Sequence, residues 1–160
     1  MRFVIQEHHS QHLHYDFRLE MAGVLKSWAL PKGPSLNPTE RRLAVRVHDH
    51  PLEYFAFEGI IPNGQSGAGA VLVWDHGEYS LLQGDSPARA LEPGKITMDL
   101  QGRILKGGFT LVKMKGRGEK NWLLIKKKDA YSQTAWTLPR ALTEEKRKGL
   151  REKAPPCETH

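Results

Sequence analysis

The sequence contains one cysteine, Cys157, close to the carboxyl terminus. A single thiol cannot form an internal disulfide or a cluster of thiolate metal ligands, so any bound metal must be held by nitrogen and oxygen atoms. No apolar run approaches the roughly 20 residues that cross a bilayer, and the residues after Met1 soon become too polar for the core of a signal peptide. These absences predict a cytoplasmic protein that does not contact a membrane.

The composition is that of an ordinary folded domain. Of the 160 residues, 39% are hydrophobic and 26% are charged, which is enough apolar material for one core. We expect a single domain over residues 1–153 and a flexible tail over residues 154–160. Lys and Arg (24) exceed Asp and Glu (18). This excess favours a polyanionic partner such as nucleic acid, although many basic proteins bind none.

Short alternating apolar segments predict a mainly β protein. Strands are expected at residues 13–21, 43–47, 70–74, 78–82, 95–100, 108–113 and 122–127, separated by turns that contain glycine and proline. Helical character is limited to residues 86–91 and 143–153, and Thr143 is suited to cap the second helix. The predicted fold is a small closed or partly closed β-barrel with one or two short flanking helices.

Histidines are concentrated at the start of the chain, where six of the eight lie within the first 50 residues. If residues 13–21 form a strand, His14, Asp16 and Arg18 share one face. The opposite face, which we expect to be buried, carries Leu13, Tyr15, Phe17 and Leu19. Turned towards the barrel interior or its mouth, the polar face would form a concave site.

This polar face has the chemistry of a metal site that acts on phosphate. Imidazole and carboxylate together suit manganese, zinc or iron, and an adjacent guanidinium suits a phosphate oxygen. His8 could fold back as a third ligand beside His14 and Asp16. The alternative is a half-exposed strand whose polar side chains are simply solvated.

A second polar cluster occupies residues 41–54. The residues that alternate as a core face are Leu43, Val45 and Val47. Arg42 then points away from the core, His50 lies at the strand end, and Tyr54 follows a proline turn. Arginine pairs with phosphate oxygens, and histidine can donate to a phosphate or protonate a leaving alkoxide. The alternatives are solvated surface cations and a core tyrosine. Further along, residues 64–69 resemble a phosphate-binding loop in composition only, and we expect a flexible connection there.

Five motifs in order resemble the 3′-phosphoesterase domain of bacterial and archaeal DNA ligase D. They are Gln6-Glu7-His8, Leu13-His14-Tyr15-Asp16-Phe17-Arg18-Leu19-Glu20, Lys26-Ser27-Trp28-Ala29-Leu30-Pro31-Lys32-Gly33-Pro34, Asp49-His50-Pro51-Leu52-Glu53-Tyr54 and Asn121-Trp122-Leu123-Leu124-Ile125-Lys126-Lys127. The resemblance implies a small β-barrel that heals 3′ ends during double-strand break repair by non-homologous end joining. A terminal ribonucleoside is removed to leave a 3′-phosphate, which is then hydrolysed to a 3′-hydroxyl.

The resemblance also implies roles for individual residues. The residues that match manganese ligands are His8, His14 and Asp16. Those that match groups engaging the scissile phosphate are Arg18, Lys32, Arg42, His50 and Tyr54. Zn²⁺ or Co²⁺ could replace Mn²⁺ in such a donor set. The expected partners are DNA or RNA/DNA 3′ ends of primer–template duplexes, together with separate ligase, polymerase and end-binding repair proteins.

The sequence departs from the family pattern at two places. Only seven residues precede His8, where the family usually has a longer charged arm, so the resemblance supports metal binding more directly than the monoesterase step. His48 stands where an acidic residue is common.

Two other functions fit the same composition. One is a nucleic-acid-end binding module without catalysis, which would be expected to lack His14, Asp16 or His50. The other is a phosphodiesterase of small cyclic or dinucleotides, which needs no extended basic surface. A basic track for a strand could consist of Lys113, Lys115, Arg117, Lys120, Lys126, Lys127 and Lys128, although these residues could equally be a solvated sheet edge.

Overall fold

The structure is a computed structural model that describes residues 1–156; Cys157 and the end of the predicted tail lie outside the described residues. Its elements in chain order are β1 Arg2–His9, β2 Leu13–Met21, β3 Val24–Leu30, β4 Arg42–His50, a 3₁₀ turn Leu52–Ala56, β5 Gly59–Ile61, β6 Gly69–Leu81, α1 Pro87–Leu91, β7 Lys95–Gly102, β8 Lys106–Lys113, β9 Asn121–Lys126 and α2 Glu144–Gly149.

Eight of the strands form a closed antiparallel barrel, which confirms the predicted fold class. The order around the barrel is β1-β2-β3-β4-β9-β8-β7-β6, and β6 pairs back with β1 to close it. The short β5 pairs with β6 outside this ring. Closure leaves no unpaired edge among the eight strands, so the wall of the barrel is a stable support for side chains on either face.

The barrel interior is filled by large apolar side chains. Trp28 on β3 and Trp122 on β9 meet edge to face with their ring centroids 5.5 Å apart, and both are almost completely buried. Phe3, Phe17 and Phe109 add three further fully buried rings. Each such side chain stabilises the fold by about 1.5–3 kcal/mol relative to an exposed one.

A second apolar cluster covers the outer face of the barrel wall. Tyr54 and Phe57, from the 3₁₀ turn and the residue after it, pack with Leu25, Ile61 and Val71. The predicted alternation of β2 is correct, since Tyr15, Phe17 and Leu19 are buried inside the barrel. The polar face of β2 therefore lies outside the barrel and not in its interior or mouth, and the second cluster buries that face as well.

Several boundaries differ from those predicted. The strands β1, β3 and β5 were not predicted. Residues 70–74 and 78–82 were predicted as two strands but belong to the single strand β6. That strand stays extended because its first half pairs with β5 and its second half with β7, while β1 spans both.

Both helices are shorter than predicted. Ser86 caps α1, and Thr143 accepts a hydrogen bond from the Lys146 amide as the N-cap of α2. The prediction that this helix reaches residue 153 is wrong, because the chain after Leu150 turns extended and pairs with Ile60. Among residues 1–156, no helix is long and apolar enough to cross a membrane.

The two faces of β4 are the reverse of the predicted ones. Ala44 is fully buried in the barrel core, whereas Leu43 is 41% exposed. The register agrees, since Arg42 and Ala44 lie opposite the core residues Leu124 and Trp122 of β9. The alternation of Leu43, Val45 and Val47 therefore marks the outer face of the wall. A small residue suffices inside because the two tryptophans of the neighbouring strands already fill that space.

Asp75 on β6 anchors the turn that joins β7 to β8. Its carboxylate is 2% exposed and accepts four backbone N–H groups, at distances of 2.8–3.2 Å. The donors are the amides of His76, Arg103, Ile104 and Leu105. These bonds satisfy donors that the tight turn would otherwise leave unpaired.

Replacing this carboxylate should therefore destabilise the barrel. In Asp75→Asn, an amide N–H₂ faces backbone donors, and we expect the free energy of unfolding to fall by about 2 kcal/mol or more. The matched control is Asp99→Asn on β7, which is half-buried and should change by less than about 0.5 kcal/mol. Urea unfolding of both variants measures the difference. Equal midpoints for the two variants would contradict the anchoring role.

Candidate active site

The polar face of β2 forms the floor of a cavity with a volume of about 860 Å³. The cavity lies outside the barrel wall, between strands β1 to β4, the 3₁₀ turn and the loop before β6. Its polar lining residues are His8, Ser10, His14, Asp16, Arg18, His48, Asp49, His50, Tyr54, Gln65 and Ser66, and Pro155 lies at its edge. The site is concave, but it is built on the outer surface of the barrel.

Three side chains on the floor could together hold a metal ion. His8 on β1 lies directly opposite His14 on β2, and Asp16 follows two residues along the same face. One ligand atom from each residue lies within 4.8 Å of the other two. Oδ2 of Asp16 is 3.3 Å from Nδ1 of His8, and Oδ1 is 3.4 Å from Nε2 of His14.

Hydrogen bonds to the backbone orient both imidazoles. Nε2 of His8 lies 2.6 Å from the Gly67 carbonyl, and Nδ1 of His14 lies 2.9 Å from the His12 carbonyl. A carbonyl only accepts, so each of these nitrogens donates to its carbonyl, and the other nitrogen of each ring faces Asp16. Metal-binding histidines in proteins commonly have this second bond. The nitrogen and oxygen donors fit a divalent transition metal.

The charges of the floor also favour cation binding. Burial opposes ionisation of Asp16, but the Arg18 guanidinium and hydrogen bonds from His14 and His8 hold the pKa of Asp16 well below its usual range. Burial likewise lowers the pKa of His14, but hydrogen bonding and attraction to Asp16 outweigh it and leave that pKa above the ordinary value. Asp16 is thus a permanent carboxylate that is ready to accept a cation.

Arg18 connects this cluster to the rest of the cavity. Its side chain is 2% exposed. Nε donates to Gln6 Oε1 at 2.7 Å, Nη1 donates to Ser27 Oγ at 2.8 Å, and Nη2 lies 3.3 Å from Asp16 Oδ2. The guanidinium also lies over the ring of Tyr54, 4.7 Å from its centroid. A cation held this rigidly is already oriented for an anion.

His50 reaches the same guanidinium from the end of β4. Its Nδ1 lies 3.2 Å from Arg18 Nη1, and its ring packs edge-on against Tyr54 and stacks on His48 with centroids 4.5 Å apart. Burial, followed by the positive charge of Arg18 and the neighbouring His48, lowers the pKa of His50 to about 3. The imidazole is therefore neutral at neutral pH.

The structure brings together six of the eight residues selected from the sequence: His8, His14, Asp16, Arg18, His50 and Tyr54. Lys32 and Arg42 are not among the residues that line the cavity. Lys32 is exposed in the turn after β3, and Arg42 lies on the inner side of β4, where its Nη2 donates to Glu40 at 3.2 Å. The argument that Arg42 points away from the core is therefore wrong, while its assigned role stays a prediction.

Three residues that support the site were not selected from the sequence. Gln6 and Ser27 fix Arg18, and Gly67 orients His8. A Cβ at Gly67 would lie 3.1 Å from Cε1 of His8, and the glycine has a φ of +77°, so the loop is fitted closely to the imidazole. Gln6 and Ser27 could have been found only if β1 and β3 had been recognised as strands, because alternation then puts both on the polar face.

A family model described as the DNA ligase D 3′-phosphoesterase domain matches residues 6–113, more than half of the chain. The chain belongs to this family. The matched residues include the candidate metal ligands His8, His14 and Asp16. Arg18 and His50 also fall within the family domain.

Curated relatives agree with this assignment. The chain is 48% identical over 135 residues to the multifunctional non-homologous end joining protein LigD of Pseudomonas aeruginosa, 46% over 132 residues to that of Mycolicibacterium smegmatis, and 43% over 132 residues to the multifunctional non-homologous end joining DNA repair protein LigD of Mycobacterium tuberculosis. These alignments cover 84%, 80% and 82% of this chain but only 16%, 17% and 16% of the relatives. The chain thus corresponds to about a sixth of their length.

The neutral state of His50 can be tested by titration of the metal-free protein. Its NMR signals should show no protonation between pH 5 and 8, whereas in the urea-unfolded chain the same residue should titrate near its ordinary pKa of 6.5. Because the pKa is lower in the folded state, the unfolded chain takes up the proton first as the pH falls. His50 therefore makes the protein less stable as the pH drops from 6.5 towards 3, and His50→Gln should remove that part of the pH dependence. A folded-state midpoint near 6.5 would contradict this account.

Proposed function

We propose that this protein is a manganese-dependent 3′-phosphoesterase that heals nucleic-acid ends in double-strand break repair. It removes a 3′-terminal ribonucleoside to leave a 3′-phosphate, and it then hydrolyses that phosphate to a 3′-hydroxyl. The proposal depends on the contact between the candidate metal ligands and the buried guanidinium. Oδ2 of Asp16 lies 3.3 Å from Nη2 of Arg18 within one cavity. Membership of the phosphoesterase family supports the same reaction class.

The metal would be held by His8, His14 and Asp16. Two imidazoles oriented by backbone carbonyls and one carboxylate suit Mn²⁺, and the same set accepts Zn²⁺ or Co²⁺. A bound divalent cation supplies Lewis acidity towards a phosphoryl oxygen and acidifies a nearby water.

Arg18 and His50 would act on the phosphate itself. Arg18 holds a permanent positive charge beside the three candidate metal ligands and would neutralise a non-bridging phosphate oxygen. The lowered pKa of His50 keeps its ring neutral at neutral pH, and the neutral ring can donate one hydrogen bond to a phosphate oxygen. An entering phosphate adds negative charge beside the ring and raises the pKa of His50, which makes a proton available for the departing oxygen. Tyr54 packs against both residues and keeps them in position.

The two proposed reactions differ in the group that leaves. Removal of the terminal ribonucleoside breaks the bond between phosphorus and the O5′ of that nucleoside, and water supplies the new oxygen of the 3′-phosphate. Hydrolysis of the monoester then breaks the bond to O3′ and releases inorganic phosphate. The monoester carries more negative charge than the diester, so it needs stronger charge neutralisation from Arg18 and the metal.

The proposed substrates are DNA or RNA/DNA 3′ ends of primer–template duplexes. The relatives are named as multifunctional end-joining proteins, and this chain matches about a sixth of them. We therefore propose that it works with separate ligase, polymerase and end-binding repair proteins. These would use the 3′-hydroxyl that it leaves.

The direct test is a labelled primer–template that ends in one ribonucleotide, incubated with and without Mn²⁺ and resolved on a gel. Wild-type protein should release the nucleoside only with the metal. His14→Ala should lose activity and, by calorimetry, more than about 100-fold in Mn²⁺ affinity, because a direct ligand is gone. The matched control is His12→Ala, which keeps the backbone carbonyl that orients His14.

Each alternative function predicts a different gel. A non-catalytic end-binding module would bind the duplex and leave it intact under all conditions. A phosphodiesterase of small nucleotides would cleave a cyclic dinucleotide but not the primer–template. Normal cleavage by His14→Ala would overturn the metal assignment.

Replacing His50 separates action on the phosphate from metal binding. His50→Ala should lower turnover by roughly 100-fold or more, the usual effect of losing one hydrogen-bond donor to a reacting phosphoryl group or oxyanion. Its Mn²⁺ affinity should change little, and the two steps should respond unequally because their leaving groups differ. The control is His76→Ala, an exposed histidine on β6 outside the cavity. A large calorimetric loss of Mn²⁺ binding in His50→Ala would instead place His50 among the ligands.

A further inference from the structure

The basic residues near the carboxyl end of the fold divide into two groups at opposite ends of one hairpin. Lys113, Lys115, Arg117 and Lys120 surround the turn between β8 and β9. Lys126, Lys127 and Lys128 follow the other end of β9, beside Gly108 near the start of β8. Lys126 is also fully buried and donates to Asp129 at 2.7 Å. The seven residues therefore do not form the single continuous track that the sequence suggested.

The turn of this hairpin lies next to the candidate active site. The amide of Arg46 on β4 donates to the carbonyl of Lys120 at 2.7 Å. A depression of about 420 Å³ between them includes Val47 and His48, which also line the active-site cavity. The depression continues into a second one of about 530 Å³, because Lys113 and Glu119 line both. We call these two depressions together the hairpin groove.

The hairpin groove carries mostly positive charge. Its cations are Arg46, Lys95, Lys113, Lys115 and Lys120, and its one carboxylate is Glu119. Glu119 pairs with Lys113 at 2.8 Å, but its side chain is 89% exposed, so that pair contributes little and a phosphate can replace it. Five cations along a depression that shares Val47 and His48 with the active-site cavity are complementary to a polyanion.

The lining of the hairpin groove favours backbone recognition over base recognition. Its one indole, that of Trp122, is 1% exposed and packs inside the barrel, and the smaller ring of His48 already stacks on His50. Lysine and arginine side chains on an open surface contact phosphates without reading sequence.

We propose that the hairpin groove binds the phosphodiester backbone of the strand whose 3′ end occupies the active-site cavity. This inference rests on the proposed function, since it takes the scissile phosphate to lie at Arg18 and His50. The strand would leave the cavity past Val47 and His48 and follow the turn of the hairpin. Binding there would hold a long strand end in place while the terminal nucleotide reacts.

A pair of charge-matched variants tests the proposal. Lys115→Gln/Lys120→Gln removes two exposed lysines from the hairpin groove, and Lys127→Gln/Lys128→Gln removes two from the opposite end of the hairpin. Binding to a labelled primer–template is measured by fluorescence anisotropy without metal, so that catalysis does not enter. Between about 50 and 200 mM salt, the groove variant should bind more weakly, and the slope of log affinity against log salt should fall by about two units. The opposite-end variant should match the wild type.

Cleavage with Mn²⁺ separates this inference from the proposed function. Wild-type protein should have a lower KM for the long primer–template than for a dinucleotide, and the groove variant should lose that advantage. Equal effects of the two double variants, or no effect of either, would overturn the groove as the binding surface. If the wild type still cleaves in that case, the proposed function stands. If the wild type binds through the groove but cleaves neither substrate, the proposed function fails instead.

Discussion

The candidate site depends on one buried cation, the guanidinium of Arg18. A charge that is 2% exposed is tolerated only when its donors are paired, because desolvation costs several kcal/mol per ion. Each partner comes from a different strand: Gln6 from β1, Asp16 from β2 together with Arg18 itself, Ser27 from β3 and His50 from β4. A slip of one residue in any of these strands would turn its partner to the other face of the wall. The register of half the barrel and the geometry of the site therefore require one another.

The same network explains why the site is covered although it lies outside the barrel. In the side-chain amide of Gln6, Oε1 accepts a hydrogen bond from Arg18, and Nε2 donates one to the backbone carbonyl of Tyr54 at 2.8 Å. This bond links the 3₁₀ turn to the barrel wall. The 3₁₀ turn then places the Tyr54 ring over the Arg18 guanidinium. Covering the charges excludes water from them, which strengthens their interactions with each other and with an anion. The residues that bury the site are thus also residues that orient it.

The sequence predicted those parts of the site that lie on one well-marked strand. Alternation in β2 was enough to place His14, Asp16 and Arg18 together. His8 and His50 were candidates from their positions in the chain, and the resemblance to the phosphoesterase family added Tyr54. Ser27 was missed because β3 was not recognised as a strand. The two faces of β4 were predicted the wrong way round because the alternation of Leu43, Val45 and Val47 resembles that of residues facing a core. Only the three-dimensional structure reveals that Trp28 and Trp122 fill the interior there and leave room for no more than Ala44.

The charge balance of the cavity accounts for the order in which its ligands are expected to bind. The carboxylate of Asp16 and the guanidinium of Arg18 offset one another, and the low pKa of His50 leaves that ring neutral. The floor alone therefore has little net attraction for a phosphate. A divalent cation held by His8, His14 and Asp16 would give it an excess positive charge, which matches a phosphate diester or monoester. The hairpin groove needs no metal for its positive charge, because lysine and arginine side chains supply it. On these proposals, a strand would be held along the groove before its terminal phosphate enters the cavity, and a metal bound by His8, His14 and Asp16 would be needed to engage the end.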